Sequence, residues 1–184
     1  MKPKELKNLL AALVGVVLLA SCGEKKKEAP AEEQAAPITE AAAPSSPKSA
    51  SIGFDREELN AFFTQYLTLQ QALVASESVE AQQAARKMAQ LPLEEMPDIS
   101  KVITALAKSD HLGQQRALFL RLNKAMVPYL EAHLSSGEIY RQYCPMAFEN
   151  TGAFWFSDSE EILNPYFGDA MLHCGTVEKT YGAL

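Results

Sequence analysis

Cysteine is scarce in this chain: three residues in 184, none of them spaced as Cys-x-x-Cys. A thiol oxidoreductase of that type is therefore a poor fit. Also missing are a Ser-His-Asp arrangement, a phosphate-binding glycine loop, an HExxH pair and a dinucleotide fingerprint. The sequence thus offers no catalytic residue, and a non-enzymatic role is expected, with an enzyme of unknown type as the third alternative. Basic charge is in deficit, with 17 Lys and Arg against 23 Asp and Glu and a net charge of −6. Nucleic acid is excluded as a partner, because its phosphates need Lys and Arg for counterion release. There is no internal repeat. The longest apolar run, residues 9–20, is about twelve residues, against roughly 20 for a membrane-spanning helix.

What stands around that run is informative. Lys2, Lys4 and Lys7 precede it, and Leu19-Ala20-Ser21-Cys22 follows it. A basic start, a short apolar stretch and small residues before a cut make a signal peptide over residues 1–21. The last four residues resemble the bacterial lipobox. That resemblance implies acylation of Cys22, with palmitate among the chains, and a membrane anchor at the mature N-terminus. Gly23 in place of Asp after the acylated cysteine points to outer-membrane retention and a domain facing the periplasm. The mature charge would be about −8. Residues 22–52 are rich in Ala, Pro, Glu, Lys and Ser, with almost no large apolar side chain. Such a stretch cannot bury enough surface to order itself and reads as a tether reaching roughly 30 Å.

One domain remains, residues 53–184, and its fold class is expected to be mainly α: a four-helix bundle-like part (53–135) followed by a small β-containing lobe (136–184), α+β overall. Asp55-Arg56-Glu57-Glu58 reads as a capping box opening a helix through Leu59, Phe62, Phe63, Tyr66, Leu69 and Leu73. Ser78 is placed to cap a second helix through Ala81, Ala84, Ala85, Met88 and Leu91, ended by Pro92. A third follows Pro97 through Val102, Ile103 and Leu106. A fourth carries Leu118, Phe119, Leu122, Met126 and Tyr129, with a kink or early stop expected at Pro128. Met88, Met96 and Met126 read as core filling.

After Gly137 the pattern becomes aromatic and alternating. Residues 138–148 read as one strand and Ala153-Phe154-Trp155-Phe156 as a second, with the turn ENTG between them. Pro145 puts the first strand at an edge or a bulge. Asn164-Pro165 opens another turn, closed near Gly168.

Cys-Pro-Met (144–146), Gly-x-x-Trp-x-Ser (152–157), Asn-Pro-Tyr-Phe-Gly (164–168) and Met-Leu-x-Cys-Gly (171–175) together resemble the C-terminal signature of a bacterial family of domains of unknown function. Those domains occur alone in exported lipoproteins and at the C-terminus of periplasmic adaptor subunits of heavy-metal efflux pumps. The likeness extends over the whole domain, through YLTLQQALVAS (66–76) and QQRALFLRLN (114–123). Phe156 stands where a leucine is usual, and His173 where a small polar residue is usual. The resemblance implies a role with copper or silver, and an efflux adaptor or metal-handling protein as partner.

The residues carry a parallel reading. The residue before proline is extended, and positions two apart in an extended segment share a face, which aligns Cys144 with Met146. Met171 and Cys174, three apart, meet in a turn. If the two pieces fold together, two thiolates and two thioethers form a soft set selective for Cu(I) or Ag(I). Tyr143, Trp155 and Tyr166 would wall the site, and His173 is a weaker fifth candidate. The alternative is a Cys144–Cys174 disulfide in an oxidising compartment, making a stapled protein-interaction module with no metal, and Met146 and Met171 part of its core. His111 and His133 read as solvated or capping groups. Asp158, Glu160 and Glu161, beside Ser157 and Ser159, read as a solvated loop.

Overall fold

The computed structural model describes residues 51–182. The signal peptide, Cys22 and nearly all of the tether lie outside the described residues. Two lobes follow one another along the chain, helical then mostly sheet, so the fold is α+β.

The helices are α1 (Glu57–Val74), α2 (Ser78–Met88), α3 (Pro97–Leu106) and α4 (Leu112–His133). Their buried positions follow the apolar periodicity, from Leu59, Phe62, Phe63, Tyr66, Leu69 and Leu73 on α1 to Leu118, Phe119, Leu122 and Met126 on α4. Met88, Met96 and Met126 are buried in this core. Burying each Leu, Ile, Phe or Met side chain contributes about 1.5–3 kcal/mol, which is what holds short helices that would be marginal alone. An aromatic file crosses the core from Phe54 through Phe63, Tyr66 and Phe119 to Tyr166, with ring centroids 5.6, 5.5, 5.2 and 6.0 Å apart.

Several expected helix ends are corrected. Asp55 does not cap α1; the N-cap is Arg56, with no side-chain bond to the helix. The Asp55 carboxylate instead lies 2.9 Å from His133 Nδ1, while its backbone N–H donates to His133 O at 3.0 Å. Asn60 takes over the entry to the helix, accepting the Phe54 N–H at 2.8 Å and donating to Phe54 O at 3.1 Å. Ser78 is the first residue of α2, after the N-cap Glu77, and it makes no cap bond. That helix stops at Met88, ahead of Pro92, through tightening turns at Gln90 and Leu91. Pro97 does open α3, where its missing N–H costs nothing. Pro128 does not stop α4, which runs on to His133; the proline and Lys124, whose carbonyl loses its helical donor, are both exposed residues.

Five strands form two antiparallel sheets. β1 (Gly53–Phe54) pairs with β2 (Leu134–Ser136), tying the entry of α1 to the exit of α4. β3 (Glu138–Cys144), β4 (Ala153–Ser157) and β5 (Thr176–Gly182) lie in the order β4-β3-β5. β3 is therefore central, contrary to the edge position expected from Pro145. The strand ends at Cys144, so the proline falls just beyond the ladder and removes no bond from it. A register shift between Arg141 and Gln142 supplies a bulge on the β5 side. After Pro145 the chain turns through Ala147–Asn150, with Phe148, Glu149 and Asn150 all at positive φ.

Candidate functional site

The C-terminal lobe is docked to the helices through the free edge of β4. An edge strand presents unpaired N–H and C=O groups, which are costly if buried without partners. Here three side chains satisfy them. The Tyr66 hydroxyl accepts the Phe156 N–H at 2.9 Å and lies 2.7 Å from Asn123 Oδ1, to which it donates. Asn123 Nδ2 donates to Phe154 O at 3.0 Å and to the Tyr166 hydroxyl at 2.9 Å. The Tyr166 hydroxyl donates to Phe154 O at 2.5 Å. Burial drives the Tyr66 phenol well above its usual pKa, against the lowering effect of the Phe156 backbone. Burial raises Tyr166 in the same way, with Asn123 opposing it and the nearby Cys144 adding to it. Both phenols are thus held neutral as hydrogen-bonding groups.

The Asn-Pro-Tyr-Phe-Gly segment places the second cysteine. Asn164, fully buried, accepts the Tyr166 N–H at 2.8 Å and donates through Nδ2 to Cys174 O at 2.8 Å. Its backbone N–H donates to Leu172 O at 2.8 Å, and its carbonyl accepts the Gly168 N–H at 3.0 Å. Arg116 on α4 donates to Pro165 O at 2.9 Å, Leu73 O at 3.2 Å and Ser76 Oγ at 3.0 Å. It thereby clamps this segment to the C-terminus of α1, and partial burial lowers its pKa. Gly168, at φ +59°, fits where any Cβ would meet Ser76 Oγ and Val74 O at 2.5 and 2.8 Å. A Cβ on Gly175 would meet the Trp155 ring at 2.9 Å and Tyr143 O at 3.1 Å. Asn164, Tyr166, Gly168 and Gly175 thus each have a packing or hydrogen-bonding task.

The outcome is a thiol pair. β3 pairs Tyr143 with Thr176, so the strand's last residue, Cys144, ends beside the stretch leading into β5. Cys144 Sγ and Cys174 Sγ lie 3.3 Å apart. A disulfide needs about 2.05 Å, so these are free thiols in contact. Cys144 is fully buried and Cys174 is part-exposed, giving the pair one inner and one outer sulfur. The contact with Cys144, then burial, raises the pKa of Cys174, which keeps that thiol protonated at neutral pH.

The other candidate residues are placed differently. The extended geometry that would align Cys144 with Met146 stops at Pro145. Met146 is in the α-region (φ −86°, ψ −11°) and 47% exposed, whereas Cys144 is buried. Met171 ends a short 3-10 turn and is half-buried, with its carbonyl accepting the Cys174 N–H at 3.0 Å. His173 is exposed, its Nδ1 2.9 Å from Ile162 O and so committed as a donor to the loop. Trp155 is fully buried with its ring against Gly175, and Tyr166 is buried near Cys144. Tyr143 projects from the face of β3 opposite to Cys144, and its hydroxyl overlies Gly152. Among the described residues, no three His, Cys, Asp or Glu side chains cluster as a ligand set. His111 is exposed at the start of α4, and His133 is paired with Asp55. Asp158, Glu160 and Glu161 are exposed, in a loop where Ser157 Oγ and Ser159 Oγ accept the N–H groups two residues on.

Sequence reasoning missed Asn123 and Arg116, read Asn164 only as the opening of a turn, and treated Tyr66 as simple core. One signal was present: Asn123 is an amide inside the apolar stripe Leu118-Phe119-Leu122-Met126.

Fold and site together define an α+β domain that brings two distant thiols into contact on a hydrogen-bonded platform. A family model described as a protein of unknown function (DUF3347) matches residues 62–137, from α1 to the turn before β3. The four C-terminal motifs lie beyond that span. No curated protein and no solved structure matches the chain.

Proposed function

We propose that the domain binds a soft monovalent ion, Cu(I) or Ag(I), through Cys144 and Cys174, and that it does so as an envelope lipoprotein anchored through Cys22. The observation that carries this reading is the 3.3 Å approach of one buried and one part-exposed sulfur. Soft d10 ions are satisfied by few, soft ligands, and a thiol pair meets that need where a hard cation would require many oxygens. Met171, three residues before Cys174, is the thioether available to complete the set; Met146, exposed on the turn after Pro145, would have to swing inward to join it. Binding must displace the thiol protons, so affinity should rise with pH. The helical part, taken as bundle-like, serves as the platform. The ion would pass to, or be sensed for, an efflux adaptor or other metal-handling protein, with the anchor holding the domain at the periplasmic face of the outer membrane.

Competition of the reduced chain with a chromogenic Cu(I) chelator tests the reading. The chain should withdraw copper, and Cys144→Ser or Cys174→Ser should abolish this. Met146→Ala and Met171→Ala should weaken it; no competition, or competition indifferent to all four, rejects the site. Anchoring is tested separately, by whether Cys22→Ser releases the chain from the membrane fraction.

A second reading is favoured by the same distance. The sulfurs need to approach by only about 1.2 Å to form a covalent bond. An exported domain would then carry a disulfide-stapled module that docks a partner protein. Intact mass under non-reducing conditions, taken directly from the envelope, should in that case show the loss of two hydrogens.

A further inference from the structure

A separate surface feature lies between α3 and α4, independent of the thiol pair. The two helices enclose a groove of about 500 Å³. Its floor is Val102, Ala105, Leu118 and Ala125, and the small Ala105 and Ala125 create the concavity. Its rim carries Lys101, Arg121 and Lys124, all exposed, against a single carboxylate, Asp98. None of those three cations makes an ion pair or side-chain hydrogen bond among the described residues, although Arg56, Arg141 and Lys179 all find carboxylates. Acidic side chains outnumber basic ones in this protein, so an unpaired cationic rim around an apolar floor stands out.

The lining positions on α3 step as i, i+3, i+4 and i+7, so the groove runs along two helical turns, about 10 Å. A concave apolar strip of that length between two helices fits the apolar stripe of a third. The cations flanking it fit carboxylates on either side of such a stripe. We propose that the α3–α4 groove docks an acidic amphipathic helix of a partner protein. An anionic membrane fits less well, because a flat surface does not fill a groove and the domain as a whole is acidic. A second copy docked groove to groove would set three cations against three.

The test uses the purified full-length chain and a fluorescein-labelled helix of about sixteen residues, with leucines along one face and glutamates flanking them. Saturable binding is expected by fluorescence anisotropy, and a matched helix with lysines for glutamates should not bind. Two variants should weaken binding by roughly tenfold or more: Lys101→Glu/Arg121→Glu/Lys124→Glu, which reverses the rim, and Ala105→Trp, which fills the floor. Circular dichroism checks that each variant folds. Cys144→Ser/Cys174→Ser should bind the helix normally, which separates this surface from the metal site. The proposal is overturned by no saturable binding below about 1 mM, or by binding that neither variant alters. It is also overturned if the chain prefers phosphatidylglycerol vesicles to the helix, or if sedimentation shows a dimer that the same variants dissolve.

Discussion

The helical layer and the C-terminal lobe are held by different kinds of interaction. Along α2 and α3 the core is aliphatic and methionine-rich, with Met88, Met96, Ile99, Ile103 and Leu106 buried. Where the lobe meets α1 and α4, polar groups do much of the joining: the buried Tyr66, Asn123 and Tyr166 and the half-buried Arg116; Asn164, also buried, ties the lobe to itself. Apolar packing is adaptable, because a core accepts side chains of about the right size. A hydrogen-bonded joint is not, because each unpaired member leaves others stranded in a low dielectric. The lobe should therefore be the more brittle region and the more sharply positioned one, as a site that must keep two sulfurs in contact requires.

Oxidation offers the largest effect. Closing Cys144 to Cys174 restricts the unfolded chain by a loop of about thirty residues, worth roughly 3–4 kcal/mol in the chain-entropy model. Urea unfolding of the oxidised and reduced forms should differ by that amount, and the difference should vanish in Cys144→Ser/Cys174→Ser. A difference near zero would mean that bonding strains the β3–β5 end of the lobe as much as it constrains the unfolded chain.

Next comes the joint itself. Asn123→Leu keeps a similar volume and removes the amide's three bonds, to the Tyr66 hydroxyl, Phe154 O and the Tyr166 hydroxyl, leaving the Tyr66 O–H only the longer contact to Phe156 O at 3.3 Å. The expected loss is about 3 kcal/mol. Ile103→Val, in the aliphatic layer, should cost only about 1 kcal/mol. Equal losses at the two positions would erase the distinction between the regions.

The two regions also differ in how legible they were in the sequence. The helices were visible because their apolar residues recur at 3.6-residue spacing, and a stripe long enough to bury is hard to mistake. Asp55 was misread because a capping box and an acidic residue reaching across to another helix look alike in one dimension. β5 was not anticipated, since only Tyr181 of its seven residues is buried, so the strand carries no apolar alternation. β1 and β2, of two and three residues, are too short to show a period. For the site, Cys144 and Cys174 could be singled out by rarity and by motif, yet nothing in their spacing required contact. The contact depends on Asn164, Gly168 and Gly175, whose tasks exist only once the chain is folded. The Cys144–Met146 alignment failed because Pro145 ends the strand on which it relied.

High pH sharpens the comparison from the side of the joint. Tyr66 and Tyr166 have folded-state pKa values raised above the ordinary phenol value near 10. Their contribution is fully present below that value, where both states are protonated. As pH rises past about 10 the unfolded chain releases protons that the folded chain retains, so stability falls. The slope approaches about 1.4 kcal/mol per pH unit for each tyrosine, or roughly 2–3 kcal/mol in all by pH 11. Stability measured from pH 8 to 11 in the cysteine-free background, where thiol ionisation does not contribute, should show this decline. Tyr66→Phe/Tyr166→Phe should flatten it while lowering stability at neutral pH.

The smallest effect lies at the other end of the helical layer, where Asp55 meets His133 beside the β1–β2 pair. Both side chains reach solvent, with Asp55 58% exposed, so their hydrogen bond is worth little. If Asp55 capped α1, Asp55→Ala would cost about 1 kcal/mol whether or not His133 were present. In the observed structure its carboxylate serves His133, so the cost should be a few tenths of a kcal/mol and should disappear in a His133→Ala background. A double-mutant cycle in urea at low salt measures the coupling directly. A small coupling fits the observed pairing, whereas a full capping loss independent of residue 133 would return Asp55 to the helix end.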